Sequence, residues 1–83
     1  MPDNIYEIND KGQQHGRYIS YYSNGNIMHK GHFKNDFAHG LWEYFYQDST
    51  LMHKGEYING TMIGYWIESP NAGFEYTYSF YAR

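Results

Sequence analysis

The chain has no cysteine, few basic residues and no long hydrophobic run. Without cysteine there is neither a disulfide framework nor a thiolate metal site, which excludes a small secreted scaffold stapled by bridges and makes the cytoplasm the expected compartment. No stretch approaches the roughly 20 apolar residues of a membrane span. The opening Met1-Pro2-Asp3-Asn4 has neither a basic nor an apolar leader region, so a soluble protein is expected. Six Lys and Arg stand against nine Asp and Glu, scattered without blocks, for a net charge of −3. Capture of nucleic acid or anionic lipid relies on clustered cations, so no nucleic-acid partner and no membrane partner are expected. Eighty-three residues make one domain, spanning 1–83, with a thin core.

Aromatic residues, by contrast, are abundant, at 22% with eleven tyrosines among them. Such residues favour pleated, half-buried surfaces and are enriched at protein interfaces. They also recur in a pattern. Gly40-Leu41-Trp42-Glu43-Tyr44-Phe45-Tyr46, a polar tetrapeptide and Leu51-Met52-His53-Lys54-Gly55-Glu56-Tyr57 repeat Gly16-Arg17-Tyr18-Ile19-Ser20-Tyr21-Tyr22 and Ile27-Met28-His29-Lys30-Gly31-His32-Phe33, 24 residues earlier. Gly64-Tyr65-Trp66-Ile67-Glu68 begins a third copy. The units are a partial one at 5–15, full ones at 16–39 and 40–63, and a degenerate closing unit at 64–83.

Within a unit the residues alternate as in a strand, with no helical stripe. Asn24-Gly25 predicts a type I′ hairpin turn, which needs positive φ at both central residues. Centring the turn there pairs Tyr22 with Ile27, Ser20 with His29, Tyr18 with Gly31 and Gly16 with Phe33. The second unit then pairs Tyr46 with Leu51, Tyr44 with His53, Trp42 with Gly55 and Gly40 with Tyr57. Each glycine thus lies opposite a large ring and leaves room for it. Asp10-Lys11-Gly12, Asn35-Asp36 and Asn59-Gly60 provide the links between units, and a turn at Asn59-Gly60 aligns Gly55 with Gly64 and His53 with Trp66.

One face of the predicted sheet collects Tyr18, Tyr22, Ile27, Phe33, Trp42, Tyr44, Tyr46, Leu51, Tyr57, Met62 and Trp66. The other carries Ile19, Tyr21, Met28, Lys30, Leu41, Glu43, Phe45, Met52, Lys54, Ile58, Ile63 and Ile67, with Glu43 across from Lys54. Ser69-Pro70-Asn71-Ala72-Gly73 reads as a turn and Phe74 to Tyr81 as a last strand, in which Ser79 stands where the repeat has glycine. The expected fold is all-β, an antiparallel meander of stacked hairpins with about six or seven strands.

The recurring Gly-x-Trp/Tyr-x-x-Tyr/Phe-Tyr, the short turn and the x-x-x-Lys-Gly-x-Phe/Tyr that follows resemble the MORN repeat over residues 11 to 68. The variant they resemble most is that of the bacterial antitoxin-like proteins of the YwqK family. The resemblance implies an elongated sheet of stacked hairpins used for protein association, with lipid contact also proposed for such repeats. The chain departs from the pattern at Asp36, at Asp48-Ser49, where the turn lacks its glycine, and at Ser79.

Candidate chemistry is sparse. His29 and His53 are equivalent positions, as are His15 and His39, and each pair lies two strands apart, roughly 9–10 Å, which is wide for sharing one ion. His32 and His39 approach across the first link without a neighbouring carboxylate or thiol, so no metal is expected. Ser20 opposite His29 suggests a nucleophile with its base, but no orienting acid accompanies them and Tyr44 replaces the serine in the next unit. Paired carboxylates and phosphate-cradling loops are absent, so neither an enzyme nor a cofactor is expected.

What remains is the aromatic face. A single-layer sheet cannot bury it fully, and exposed patches of that kind mark partner surfaces. The expected function is a non-catalytic protein-binding module, in its specific form an antitoxin-like inhibitor that binds and restrains another protein through Tyr18, Tyr22, Trp42, Tyr44, Tyr46 and Trp66. The alternative is a homo-oligomeric assembly module joined through the aromatic faces or the edge strands at Ile5 to Asn9 and Phe74 to Tyr81. Phospholipid or glycan contact is a minor alternative.

Overall fold

The computed structural model of the chain describes residues 4–69 and 76–82. The described residues form eight strands and no helix: β1 (Ile5–Ile8), β2 (Gln14–Tyr21), β3 (Ile27–Lys34), β4 (Phe37–Ala38), β5 (Gly40–Phe45), β6 (Leu51–Ile58), β7 (Thr61–Glu68) and β8 (Thr77–Tyr81). They lie in one sheet, in the order β1-β2-β3-β5-β6-β7-β8, with the short β4 paired to β3. All pairings are antiparallel, so the chain is the expected meander of stacked hairpins. The sheet measures 42 × 37 × 10 Å, the depth of a single layer, since a second sheet would add roughly 10 Å more.

The predicted hairpin register holds through the strand bodies. Gly16 faces Phe33, Tyr18 faces Gly31 and Ser20 faces His29; Gly40 faces Tyr57, Trp42 faces Gly55 and Tyr44 faces His53. It fails at the turns, where Tyr21, not Tyr22, pairs with Ile27 and Phe45, not Tyr46, pairs with Leu51. The Gly25 N–H donates to the Tyr22 carbonyl at 3.0 Å and the Tyr22 N–H to the Asn26 carbonyl at 2.8 Å. These bonds enclose the three-residue loop Ser23-Asn24-Gly25, in which Gly25 takes the left-handed conformation at φ 91° and Asn24 does not. This is a type I turn closed by a bulge, in place of the expected type I′ turn.

In the second unit Ser49 occupies the position of Gly25, at φ 75°, and its N–H donates to the Tyr46 carbonyl at 2.9 Å. Left-handed backbone costs an L-residue about 1–2 kcal/mol, offset in part by the extra unfolded-state freedom of glycine. Ser49→Gly is therefore expected to stabilise the fold by about 0.5–1 kcal/mol, read as a higher urea midpoint at unchanged slope. A lower midpoint would show that the Ser49 hydroxyl matters more than its backbone.

The links differ. Asn35-Asp36 (φ 48° and 72°) and Asn59-Gly60 (φ 46° and 82°) are two-residue turns with positive φ at both positions. Beyond each, the pairing slips by two residues: Phe33 meets Ala38 but Lys30 meets Glu43, and Tyr57 meets Met62 but Lys54 meets Ile67. The expected alignments of Gly55 with Gly64 and of His53 with Trp66 are therefore corrected, because His53 faces Glu68 and Trp66 moves over Gly55. Gly40 and Gly64, at φ 82° and 70°, lie within the slips and supply the conformation that absorbs the extra residues. A Cβ on Gly40 would meet nothing within 4 Å, and one on Gly16 would meet Glu7. Gly40 thus serves the backbone and Gly16 leaves room for the Glu7 side chain, and neither makes room for a ring. Glu43 does face Lys54, but its carboxylate pairs with Lys30 on the other neighbouring strand, at 3.8 Å.

The two rims of the sheet are tied from unit to unit. Along the link rim, the Asn35 N–H donates to His15 Nδ1 at 3.3 Å and the Asn59 N–H to His39 Nδ1 at 3.5 Å. Along the hairpin rim, the Tyr22 hydroxyl donates to the Phe45 carbonyl at 2.6 Å and the Tyr46 hydroxyl to the Ser69 carbonyl at 2.5 Å. In the closing unit, residues 70–73 of the expected turn and residues 74–75 of the expected last strand lie outside the described residues. Its remainder is β8, where Ser79 pairs with Trp66.

Candidate functional site

The strand parity places a continuous ladder of rings on one face. Tyr18 meets Phe33 edge-on at 5.3 Å and Trp42 at 5.8 Å between ring centroids. Trp42 meets Phe33 at 5.1 Å, Tyr44 at 6.1 Å and Tyr57 at 6.2 Å. Tyr57 then meets Trp66 at 5.1 Å, and Trp66 meets Tyr81 at 6.4 Å. Edge-to-face and offset geometries of this kind add about 0.5–1.5 kcal/mol per pair beyond area burial.

The ladder is anchored by two glycines. A Cβ on Gly31 would lie 2.2 Å from the Trp42 indole, and one on Gly55 would lie 2.2 Å from the Trp66 indole. The ring over each glycine therefore comes from the strand of the next unit, β5 for Gly31 and β7 for Gly55, and not from the hairpin partner that the register predicts. The indole N–H groups are satisfied, Trp42 by the His32 carbonyl at 2.9 Å and Trp66 by the Ile63 carbonyl at 3.2 Å.

The six residues expected to form the contact face divide into three kinds. Trp42 and Trp66 are 3% and 0% exposed and form the buried hydrophobic core. Tyr22 and Tyr46 are half-buried and their hydroxyls hold the next unit at the hairpin rim. Tyr18 and Tyr44, also half-buried, line a concavity of about 390 Å³ together with His29, Phe33, Tyr57 and the edge of Trp42.

Tyr44 is central to this concavity. It stacks on His29 at 5.4 Å with an interplanar angle of 18°, and His53 meets its edge at 4.3 Å. Its hydroxyl shares a 3.2 Å hydrogen bond with that of Tyr57. Burial, reinforced by the Tyr57 hydroxyl, pushes the Tyr44 phenol well above the usual tyrosine range, so it stays neutral and hydrogen-bonding at any physiological pH. His29 bonds through Nδ1 to the Ser20 hydroxyl, and Ser20 is buried. Among the described residues no three His, Asp or Glu side chains gather into a group that could hold a metal ion.

Burial holds the His29 imidazole below the usual histidine range; it does the same to His53, partly opposed by the Glu68 carboxylate. The folded chain thus binds fewer protons than the unfolded chain once the pH falls below about 6.5, so stability is full above that value and lost as pH falls through the depressed folded pKa values. The Arg17 N–H holds the Glu7 carboxylate below its ordinary range, and the Thr50 hydroxyl does so for Asp48; both act with the same sign at lower pH. Thermal melts should therefore show a midpoint that falls steadily from pH 7 to pH 5, with a shallower slope in His29→Gln. A midpoint that rises on acidification would contradict the burial of these rings.

Three features escaped the sequence reading. Pairing of His53 with Glu68 depends on the two-residue slip, which alternation does not register. The capping roles of His15 and His39 were visible only as a shared period. An exposed aromatic group on the opposite face, Tyr65, Tyr78 and Phe80, was signalled by the uncharged run from Tyr76 to Ala82.

Comparison with known families finds the MORN repeat variant twice, at residues 14–35 and 38–59. No curated protein and no solved structure matches the chain.

Proposed function

The chain belongs to the MORN repeat variant family, and from that membership we propose that it is a non-catalytic protein-binding module whose partner docks on the aromatic face. Repeats of this family are generally binding modules. One observation carries the reading: a ring ladder on a sheet only 10 Å deep opens into a concavity walled by half-buried Tyr18, His29, Phe33, Tyr44 and Tyr57. Half-buried aromatic rings around a concave surface, tyrosines foremost, are what protein interfaces place at their centres. Tyr18 and Tyr44 touch the partner in this reading, while Trp42 and Trp66 hold them from beneath and Tyr22 and Tyr46 fix the rim. The packing of Ser20 under His29 supports a structural role for that pair.

The likeness to antitoxin-like proteins supports a narrower form, in which binding restrains the activity of the partner protein. The test replaces Tyr18 with a photo-crosslinking residue in the cell the protein comes from. A discrete adduct with a second protein is expected, and Tyr44→Ser is expected to abolish it with the fold intact by circular dichroism. Association that persists unchanged in folded Tyr44→Ser would refute this use of the face. A partner whose activity does not fall on stoichiometric addition of the chain would refute the inhibitory form alone.

A further inference from the structure

The two edges of the sheet are built differently. All four residues of β1 are exposed, and β1 carries Glu7, whose carboxylate accepts the Arg17 N–H at 2.6 Å and pairs with its guanidinium at 3.4 Å. β1 exposes Ile5, Tyr6 and Ile8 as well, but it is only four residues long and its register is broken between Tyr6 and Ile8. Short, irregular edges guard against pairing with other chains. At the other edge, the sequence from Tyr76 to Ala82 has no charged residue, and among the described residues nothing pairs with the outer side of β8. Tyr65, Tyr78 and Phe80 are 71%, 69% and 62% exposed. Tyr65 pairs with Phe80 and Ile67 with Tyr78, while Trp66 pairs with Ser79, so these three rings share the face opposite the ladder. The Tyr65 and Phe80 rings touch at 4.8 Å.

Ser79 decides what can join this edge. As the partner of Trp66 it holds the position that Gly55 holds opposite Trp42 and Gly31 opposite Tyr18. Gly31 and Gly55 each receive the indole of the next strand, with no room for a Cβ. Ser79 brings a Cβ to that place, so another repeat-type strand, with Tyr or Trp at that level, does not fit. A strand with a small residue there does fit, and β8 is itself such a strand. Two copies of β8, antiparallel about a two-fold axis through Ser79, set serine against serine, Thr77 against Tyr81 and Tyr78 against Phe80. No like charges oppose one another in this arrangement.

We propose that β8 is a homodimerisation edge, through which two copies of this chain join antiparallel about Ser79 into one continuous sheet. Tyr65, Tyr78 and Phe80 of both copies then form a shared aromatic stripe. A five-residue strand and three rings make a small contact, which suits a reversible dimer at the low end of specific interfaces, below about 1,200 Å² in total. The two-fold closes the assembly, and the short, irregular β1 edges, left outermost, stop further growth. This edge is separate from the concavity, so the dimer stands or falls independently of the partner reading.

Light scattering on the full chain should show the mass rising with concentration from one copy to two and no further. Tyr78→Lys combined with Phe80→Lys opposes like charges across the axis and is expected to weaken association at least 100-fold. Tyr78→Glu with Phe80→Lys puts a carboxylate against an ammonium in this register and is expected to restore it. The chain contains no other thiol, so Ser79→Cys should oxidise to a covalent dimer, because directly opposed antiparallel Cα atoms lie roughly 4.5–5.5 Å apart, within disulfide reach. A monomer at all concentrations, open-ended growth, or a lysine pair that leaves association unchanged overturns the proposal. Should the lysine variant fail to fold, failure of Ser79→Cys to cross-link at concentrations where the mass doubles overturns it equally.

Discussion

Gly55→Ala is expected to destabilise the protein by about 3 kcal/mol, a large loss for adding one methyl group. The added carbon would lie 2.2 Å from the Trp66 indole, and that indole is wholly buried. The ring must tilt or leave, and either response breaks its edge-on contact with Tyr57 at 5.1 Å. Overpacking costs typically 1–3 kcal/mol, and partial expulsion of a large ring adds to it. Gly40→Ala is the control: it meets nothing within 4 Å, but its φ of 82° strains any L-residue, for about 1–2 kcal/mol. Urea titrations separate the two effects when paired with tryptophan emission, which should shift to the red in Gly55→Ala alone. A double-mutant cycle with Trp66→Leu should recover part of the loss, since the two groups compete for one volume. Equal costs for the two glycine substitutions, with additive behaviour in the cycle, would remove the ring-over-glycine contact from the account of stability.

Trp42→Ala should cost about 3–5 kcal/mol, the range for deleting a buried aromatic ring. A chain of this length is stable by only roughly 4–12 kcal/mol, so the variant is expected to lose its cooperative thermal transition or to melt far below the parent. The reason is its position: Trp42 touches Tyr18, Phe33, Tyr44 and Tyr57 and so joins the first unit to the second. Trp42→Tyr should be much milder, at about 1–2 kcal/mol, because a tyrosine at the equivalent place one unit earlier, Tyr18, keeps the edge-on contact with Phe33. If the alanine variant melts within a few degrees of the parent, the units are held together by their backbone ladder and not by the rings.

The strand bodies were legible because two independent patterns agreed on them, alternation and the 24-residue period. Both place Tyr18 against Gly31 and Trp42 against Gly55, as observed. The turns were less legible. Asn24-Gly25 is compatible with two loops that differ in which residue adopts positive φ, and the choice moved Ile27 and Leu51 one residue along their partner strands. The two-residue slips at Gly40 and Gly64 left no trace in the pattern for a different reason. A shift of two keeps every side chain on its face, so the faces survived these slips while Gly55–Gly64 and His53–Trp66 came out wrong. The one-residue shift at the hairpin turns, by contrast, sets Ile27 and Leu51, expected on the aromatic face, opposite Tyr21 and Phe45 of the other. Tyr18, Trp42, Tyr44, Tyr57 and Trp66 do share one face, as their ring contacts show. Which of them would be buried was not legible, because that depends on the neighbouring strand across the slip, which carries Trp42 over Gly31 and Trp66 over Gly55.

The rim bonds have an evolutionary consequence. His15 and His39 on one rim, and Tyr22 and Tyr46 on the other, tie each unit to the next through backbone groups of the following unit. Any residue can therefore supply the carbonyls, and any residue that tolerates the positive φ of Asn35 and Asn59 can supply the two amides. Inheritance of the periodic architecture thus depends on a few positions at the margins and on the glycines beneath the indoles. Apart from the ring ladder itself, the residues between them on the two broad surfaces are comparatively free to drift. A lineage built on this plan can change what its surfaces recognise, or gain and lose whole units, without solving the folding problem again.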